Sequence, residues 1–282
     1  MGNYFLIDTE SACFVPDETA INTANYTQRH RRTSVGSSDR TASNMSHAER
    51  MAETQKLLDR AIADAWYTVK SDRRPPKLTP TRWVWRLAGL YHLCHPTPRL
   101  MEEAAQGFAS VNRKSLAQWA AQKAREEAGH DQLALLDIQS MGYKAEAVVE
   151  VLVPPAAKAL VDHFTQSVRD SDPIDCVGYS YTGERLAICR GVEYIQMVEA
   201  LLPPRTNATR CLRVHSAVGT DVEHVKETIE MIAGLTPEER VRVSRACYKA
   251  ALLRFSPPKE RYISDEEIQN VLKPLEHINN HR

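Results

Sequence analysis

The sequence predicts an all-α protein, one helical bundle domain of seven to nine helices. Three observations predict it. Apolar residues recur three and four apart through most of the chain after Ser46. Proline, glycine and Ser/Thr/Asn clusters break that pattern at spacings suited to short helix connections. Strand signals are nearly absent, because the β-like run VVEVLV at 148–153 is too short and isolated to pair. No internal repeat is visible, and 282 residues are enough to bury a sizeable core.

Each element follows from its local pattern. Residues 1–45 are rich in Thr, Ser, Asn and Arg without a sustained period, and are expected to form a disordered or loosely attached arm. Residues 46–282 form the expected domain. HAERMAETQKLLDRAIADAWYTV carries a helical stripe up to Val69, and SDRRPPKLTP ends it. A second helix is expected from about Thr81 to Leu93 and a third from Arg99 to Ala109. Asn112 or Ser115 could then cap a long helix that ends near Gly142. Further helical runs are expected at 154–168, within 173–202, across CLRVHSAVGTDVEHVKETIEMIAG, from Thr236 to about Leu253, and over Ser264–Leu275.

Composition narrows the function. The 36 basic and 36 acidic residues balance, so bulk charge calls for neither a nucleic acid nor a membrane partner. The basic run RHRRT at 29–33 sits in the polar arm and reads as solvated tail. Six cysteines are scattered without a CxxC pair, as reduced thiols of a cytoplasmic protein would be. No apolar run approaches the roughly 20 residues of a membrane span, and the start MGNYFLIDTE lacks the basic region of a secretory signal.

The chemistry sits on apolar helix faces. At about 100° per residue, His130 points the same way as Leu116, Trp119, Lys123, Glu126, Glu127, Leu133, Asp137 and Met141. Glu127 and His130 form a Glu-x-x-His pair, the spacing by which one helix offers an oxygen and a nitrogen to one metal ion. Taken alone, such a pair more often marks a salt bridge, and Lys123 stands four residues before Glu127 to make one. A second acid, Glu184, shares its face with Val177, Tyr181, Ala187, Ile188 and Ile195, where a carboxylate is unexpected unless an Arg or Tyr pairs with it. Asp221 and His224 make another acid-x-x-His pair. In a regular helix His215 would lie about 120° from Asp221, so it joins them only through a break, for which Gly219 and Thr220 offer a place. Together Glu127, His130, Glu184, His215, Asp221 and His224 make a mixed nitrogen–oxygen set without cysteine, suited to iron or manganese, with zinc an option. Three carboxylates offset most of the charge of two divalent ions, which favours two metals over one.

EEAGHDQLALLDIQSMG, Tyr-x-Tyr-x-x-Glu at 179–184 and His…DVEH at 215–224 resemble the haem-oxygenase-like non-haem di-iron oxidases and oxygenases, a superfamily that includes iron-containing redox enzymes. The resemblance spans about 80–255 and implies a haem-oxygenase-like helical bundle. It implies that Glu127 and His130 serve one iron, that His215, Asp221 and His224 supply further ligands, and that Glu184 is shared or serves the second. Five residues separate His215 from Asp221, where relatives usually have three. The implied activity is iron-dependent oxidation of a small organic substrate by O2, whether N-oxygenation, oxidative decarboxylation, C–C cleavage or desaturation. Two irons per chain are implied, the second weakly held in some members. A homodimer would suit the family.

Other readings stay open. A ferritin-like bundle would want two Glu-x-x-His motifs, and only one is present. A metal-free, thiaminase-like helical hydrolase or binding protein would use carboxylates and a cysteine, and Cys189 lies beside the Glu184 stripe. A helical interaction module would use the acid–histidine pairs structurally. Trp83, Tyr91, His92, Trp119 and Tyr181 could line a substrate pocket, although aromatic stripes at this spacing more often pack a core. His92 and His95 read as structural or capping residues.

Overall fold

The computed structural model describes residues 45–70, 76–255 and 263–277. The N-terminal arm, apart from Met45, and the basic run within it lie outside the described residues. The chain enters α1 (His47–Val69) through Ser46, whose hydroxyl accepts from the Glu49 amide while Glu49 bonds back to the Ser46 amide. Thr79 caps α2 (Pro80–Cys94), and α3 (Thr97–Ser110) follows after two residues. Then come α4 (Lys114–Glu126), α5 (His130–Ser140), α6 (Ala145–Val151) and α7 (Pro155–Arg169). The remaining helices are α8 (Asp175–Ala187), α9 (Val192–Leu201), α10 (Arg210–Val214), α11 (Asp221–Ala233), α12 (Pro237–Phe255) and α13 (Asp265–Leu272). Among the described residues there is no strand, only one isolated bridge between Tyr143 and Glu276.

The all-α class stands, with more breaks among the described residues than seven to nine helices require. VVEVLV is helical through Val151 rather than β-like. Neither Asn112 nor Ser115 caps α4. Its N-cap position is Arg113, with no side-chain cap, and Asn112 takes the left-handed region at φ 59°. The long helix expected through residue 142 divides at Gly129, where φ is +88°, a backbone conformation that costs glycine little and other residues more. Gly142, at φ +92°, ends α5 as the sequence predicts.

Among the described residues two large apolar cores form, with a small third cluster around Cys94, Ala134 and Cys211. One gathers α1, α3, α4, α7, α8, α11 and α12 around Leu58, Phe108, Phe164, Tyr181 and Phe255. The other gathers α2, α5, α6, α9 and α13 around Leu87, Ile138, Val148, Val198 and Ile268. The helices carrying the predicted site residues meet where these cores adjoin, so the carboxylates and imidazoles are inside the molecule.

The aromatic residues considered for a pocket are held in packing roles. Trp83 donates to the Ala208 carbonyl, Trp119 to Thr228 and Tyr181 to Asp59. His92 bonds the Leu152 carbonyl oxygen, and His95 stacks on Tyr91 while pairing with Asp131 at 2.7 Å.

Candidate metal centre

The break at Gly129 shapes the first pair. Glu127 closes α4 and His130 opens α5, so the two side chains lean together across the turn, with His130 Nδ1 3.0 Å from Glu127 Oε2. Glu184 enters from α8, an inward carboxylate in the stripe the sequence predicts, and is 8 % exposed. Its neighbour Arg185 turns the other way and clasps Asp59 of α1 with two bonds of 2.9 Å, fixing the rotation of α8. His224 and Asp221 open α11, with His224 Nδ1 3.7 Å from Asp221 Oδ1 and 3.8 Å from Glu184 Oε1.

His215 is brought in by the predicted break. The helix stops at Val214 and restarts at Asp221, and the turn between them needs Gly219, where an added Cβ would lie 1.9 Å from the Val214 carbonyl oxygen. His215 Nδ1 consequently lies 3.3 Å from both Asp221 oxygens, and its ring meets His130 edge-on at 4.9 Å. The longer His-to-Asp spacing therefore does not exclude His215. Val218 is 52 % exposed on this turn.

All six sequence-predicted residues converge. Two groupings have ligand atoms mutually within 4.8 Å: Glu127, Glu184 and His224, and Glu127, His130 and His215. Glu127 belongs to both groupings and Glu184 to one, where the resemblance implied that Glu184 is shared or serves the second metal.

Lys123 and Glu126 were not expected as site residues. Lys123 is 1 % exposed, and its Nζ lies 3.2 Å from both Glu126 Oε2 and Glu184 Oε1, in place of the surface pairing with Glu127 that the i, i+4 spacing offered. Glu126 Oε2 is in turn 3.3 Å from His224 Nε2. The sequence signal was available, since both residues share the inward face of α4 with Trp119.

Electrostatics follow from this crowding. Burial pushes the Glu184 carboxyl up to about 8, against the pull of Lys123. Burial also works against ionised Glu127, but His130, His215 and His224 together hold it below its ordinary value. Burial and the Lys123 ammonium lower His224. For His215, burial opposes the charged form, while Cys94 and Asp221 outweigh it and raise the proton affinity.

The donor set fits a divalent cation. Glu184 Oε2 and His224 Nδ1 are buried with no protein hydrogen-bond partner, a state that a bound cation would relieve. Lys123 Nζ and Glu126 Oε2 likewise lie at ion-pair distance without hydrogen-bond geometry. Oxygen and imidazole nitrogen suit iron, manganese or zinc. Beside the cluster lies a cavity of about 120 Å³. Leu90, Met101, Leu160 and Phe164 line it together with Lys123, Glu127, Glu184, His215 and Asp221.

No protein-family model matches the sequence, and no curated protein matches it. Among solved structures, the chain is similar to a domain of unknown function with a heme oxygenase-like fold from Shewanella denitrificans OS217. The match has a TM-score of 0.55 at 19 % identity, and covers 82 % of this chain and 94 % of that one. The fold defined by these helices is therefore haem-oxygenase-like.

Proposed function

We propose that this protein is a non-haem iron oxidase or oxygenase that uses O2 to oxidise a small organic substrate. The observation that carries the reading is the pair of nitrogen–oxygen groupings, one buried and one half-buried, that share Glu127 and adjoin a largely apolar cavity. Glu127, Glu184 and His224 would hold one ion, and Glu127, His130 and His215 a second, with Asp221 beside both histidines of its turn. Iron bound there supplies the electrons and open coordination positions that O2 chemistry requires.

The protein's share is environment and position. The apolar wall of Leu90, Met101, Leu160 and Phe164 keeps water from the reacting centre and strengthens every charge interaction inside it. A cavity of about 120 Å³ accommodates a group on the scale of benzene, so it receives a small molecule or the reacting end of a longer one. Lys123 Nζ, on the cavity wall and 3.2 Å from Glu184, holds a proton where developing negative charge can be met.

The reading is tested by O2 uptake. Full-length protein reconstituted anaerobically with Fe(II) is expected to consume O2 and oxidise its iron faster than the same iron free in buffer, and Glu127→Ala is expected to abolish the difference. Uptake equal to the free-iron control would contradict the reading. A metal-free hydrolase would fit less well, because Cys189, the thiol beside the Glu184 stripe, bonds to the Arg185 carbonyl away from the cavity, and Cys94, which does line the cavity, has its thiol held well above the ordinary range by Cys211 and burial.

A further inference from the structure

A second cluster, of different chemistry, lies behind His215. Cys94 closes α2, Cys211 lies in the first turn of α10, and His215 follows the end of that helix. Cys211 and His215 are four residues apart, and the His215 amide donates to the Cys211 carbonyl at 3.1 Å, so one turn presents both side chains to the same side. Cys94 faces them from the opposite element. Its Sγ lies 3.7 Å from His215 Nε2, and the three ligand atoms are within 4.8 Å of one another. Sulfur at about 2.3 Å and nitrogen at about 2.0 Å from one tetrahedral ion would stand about 3.5 Å apart, so the cluster is close to chelating geometry as it is.

Its surroundings are organised for that role. Asp221, 1 % exposed, offers acceptor oxygens to His215 Nδ1, which fixes the proton there and leaves the Nε2 lone pair facing Cys94. A carboxylate behind an imidazole is the usual means of orienting a histidine ligand. Asp137, wholly buried on α5, accepts from the amides of Arg210 and Cys211 at 3.1 and 2.9 Å and so sets the start of α10. Leu90, Tyr91, Leu133 and Ala134 pack around the thiols. In that apolar shell, two thiolates, a neutral imidazole and a divalent ion carry no net charge, the combination that burial penalises least.

We propose that Cys94, Cys211 and His215 form a binding site for a soft divalent cation of the zinc class, oriented by Asp221 and taking its fourth ligand from the cavity, which reaches both Cys94 and His215. Loading releases the two thiol protons, together with the Nε2 proton of the charged form of His215, to solvent and forms two metal–sulfur bonds and one metal–nitrogen bond. The site stands independently of the iron reading, except that His215 serves both. A ring whose Nε2 is bound beside sulfur is withdrawn from Glu127 and His130, so the soft ion limits how much iron the chain takes.

The test uses the full reduced chain loaded with one equivalent of Zn2+. X-ray absorption at the zinc edge is expected to show two sulfur ligands at about 2.3 Å, and a shell of nitrogen and oxygen alone overturns the proposal. Cobalt(II) in place of zinc is expected to give a thiolate-to-cobalt absorption that C94S and C211S each remove, with helical content unchanged, while H130A and E184A keep it. Absorption retained in both cysteine variants also overturns the proposal. Failure of iron binding with the cobalt–thiolate absorption intact would remove only the iron reading.

Discussion

Lys123 shows how one side chain sets the energetics of the site. Its ammonium lies between Glu126 and Glu184 in a place nearly free of water, so it compensates carboxylates that would otherwise be buried uncompensated. Lys123→Met is therefore expected to destabilise the metal-free protein by about 3–5 kcal/mol. The loss should shrink when a divalent cation replaces the missing charge, which urea unfolding with and without metal would measure. Glu184 gives a second outcome. Its folded value of about 8 lies above the ordinary 4.5, so the folded chain binds more protons than the unfolded chain between those limits. Its contribution to stability is full below about 4.5 and is lost as pH rises through about 8. The metal-free wild type should lose stability relative to Glu184→Gln over this window. Apparent metal affinity should rise with pH in the same range, because metal and proton compete for that carboxylate. At this scale the residue types of the candidate centre were legible, since acids and histidines interrupt apolar faces. The partner of Lys123 was not, because a helical spacing offers Glu127, while Glu184 arrives only through the tertiary fold, in which α4 and α8 both pack against α11.

Helix breaks, more than helices, assemble the centre. Gly129 turns the chain between Glu127 and His130, and Gly219 turns it between His215 and Asp221. Gly219→Ala would force a Cβ against the Val214 carbonyl oxygen and push α10 and α11 apart. The expected result is a loss of about 1–3 kcal/mol in stability, with weakened metal binding at the grouping that includes His215, read by calorimetry against the wild type. The second break was legible in Gly-Thr beside an acid-x-x-His pair. The first was hidden, because Glu-x-x-His on a continuous helix gives the same residue pattern as Glu-x-x-His across a tight turn. Cys211 and His215 were likewise a readable i, i+4 pair, but Cys94, which completes the thiol cluster, comes from a helix more than a hundred residues earlier, and no local pattern joins them.

For the whole molecule, periodicity was enough to specify the class. An apolar stripe in nearly every segment, with proline and glycine punctuation, leaves little besides a helical bundle, and the haem-oxygenase-like arrangement agrees with it. What periodicity does not encode is where two cores meet, and the acidic helix ends are gathered at that seam. Asp59 braces the first core's side of that seam, since it ties α1 to both Arg185 and Tyr181 of α8. Asp59→Ala is expected to cost about 3–5 kcal/mol and to lower iron content through the displacement of Glu184, with both effects measured on the same preparation.

The central claim is that two ligand groups share Glu127, and iron stoichiometry tests it most directly. Elemental analysis of protein reconstituted anaerobically with Fe(II) is expected to give about two irons per chain in the wild type. Glu127→Ala should bind almost none, and His224→Ala, which leaves the grouping of Glu127, His130 and His215 intact, should retain about one. No iron in the wild type, or equal retention in both variants, would contradict the account.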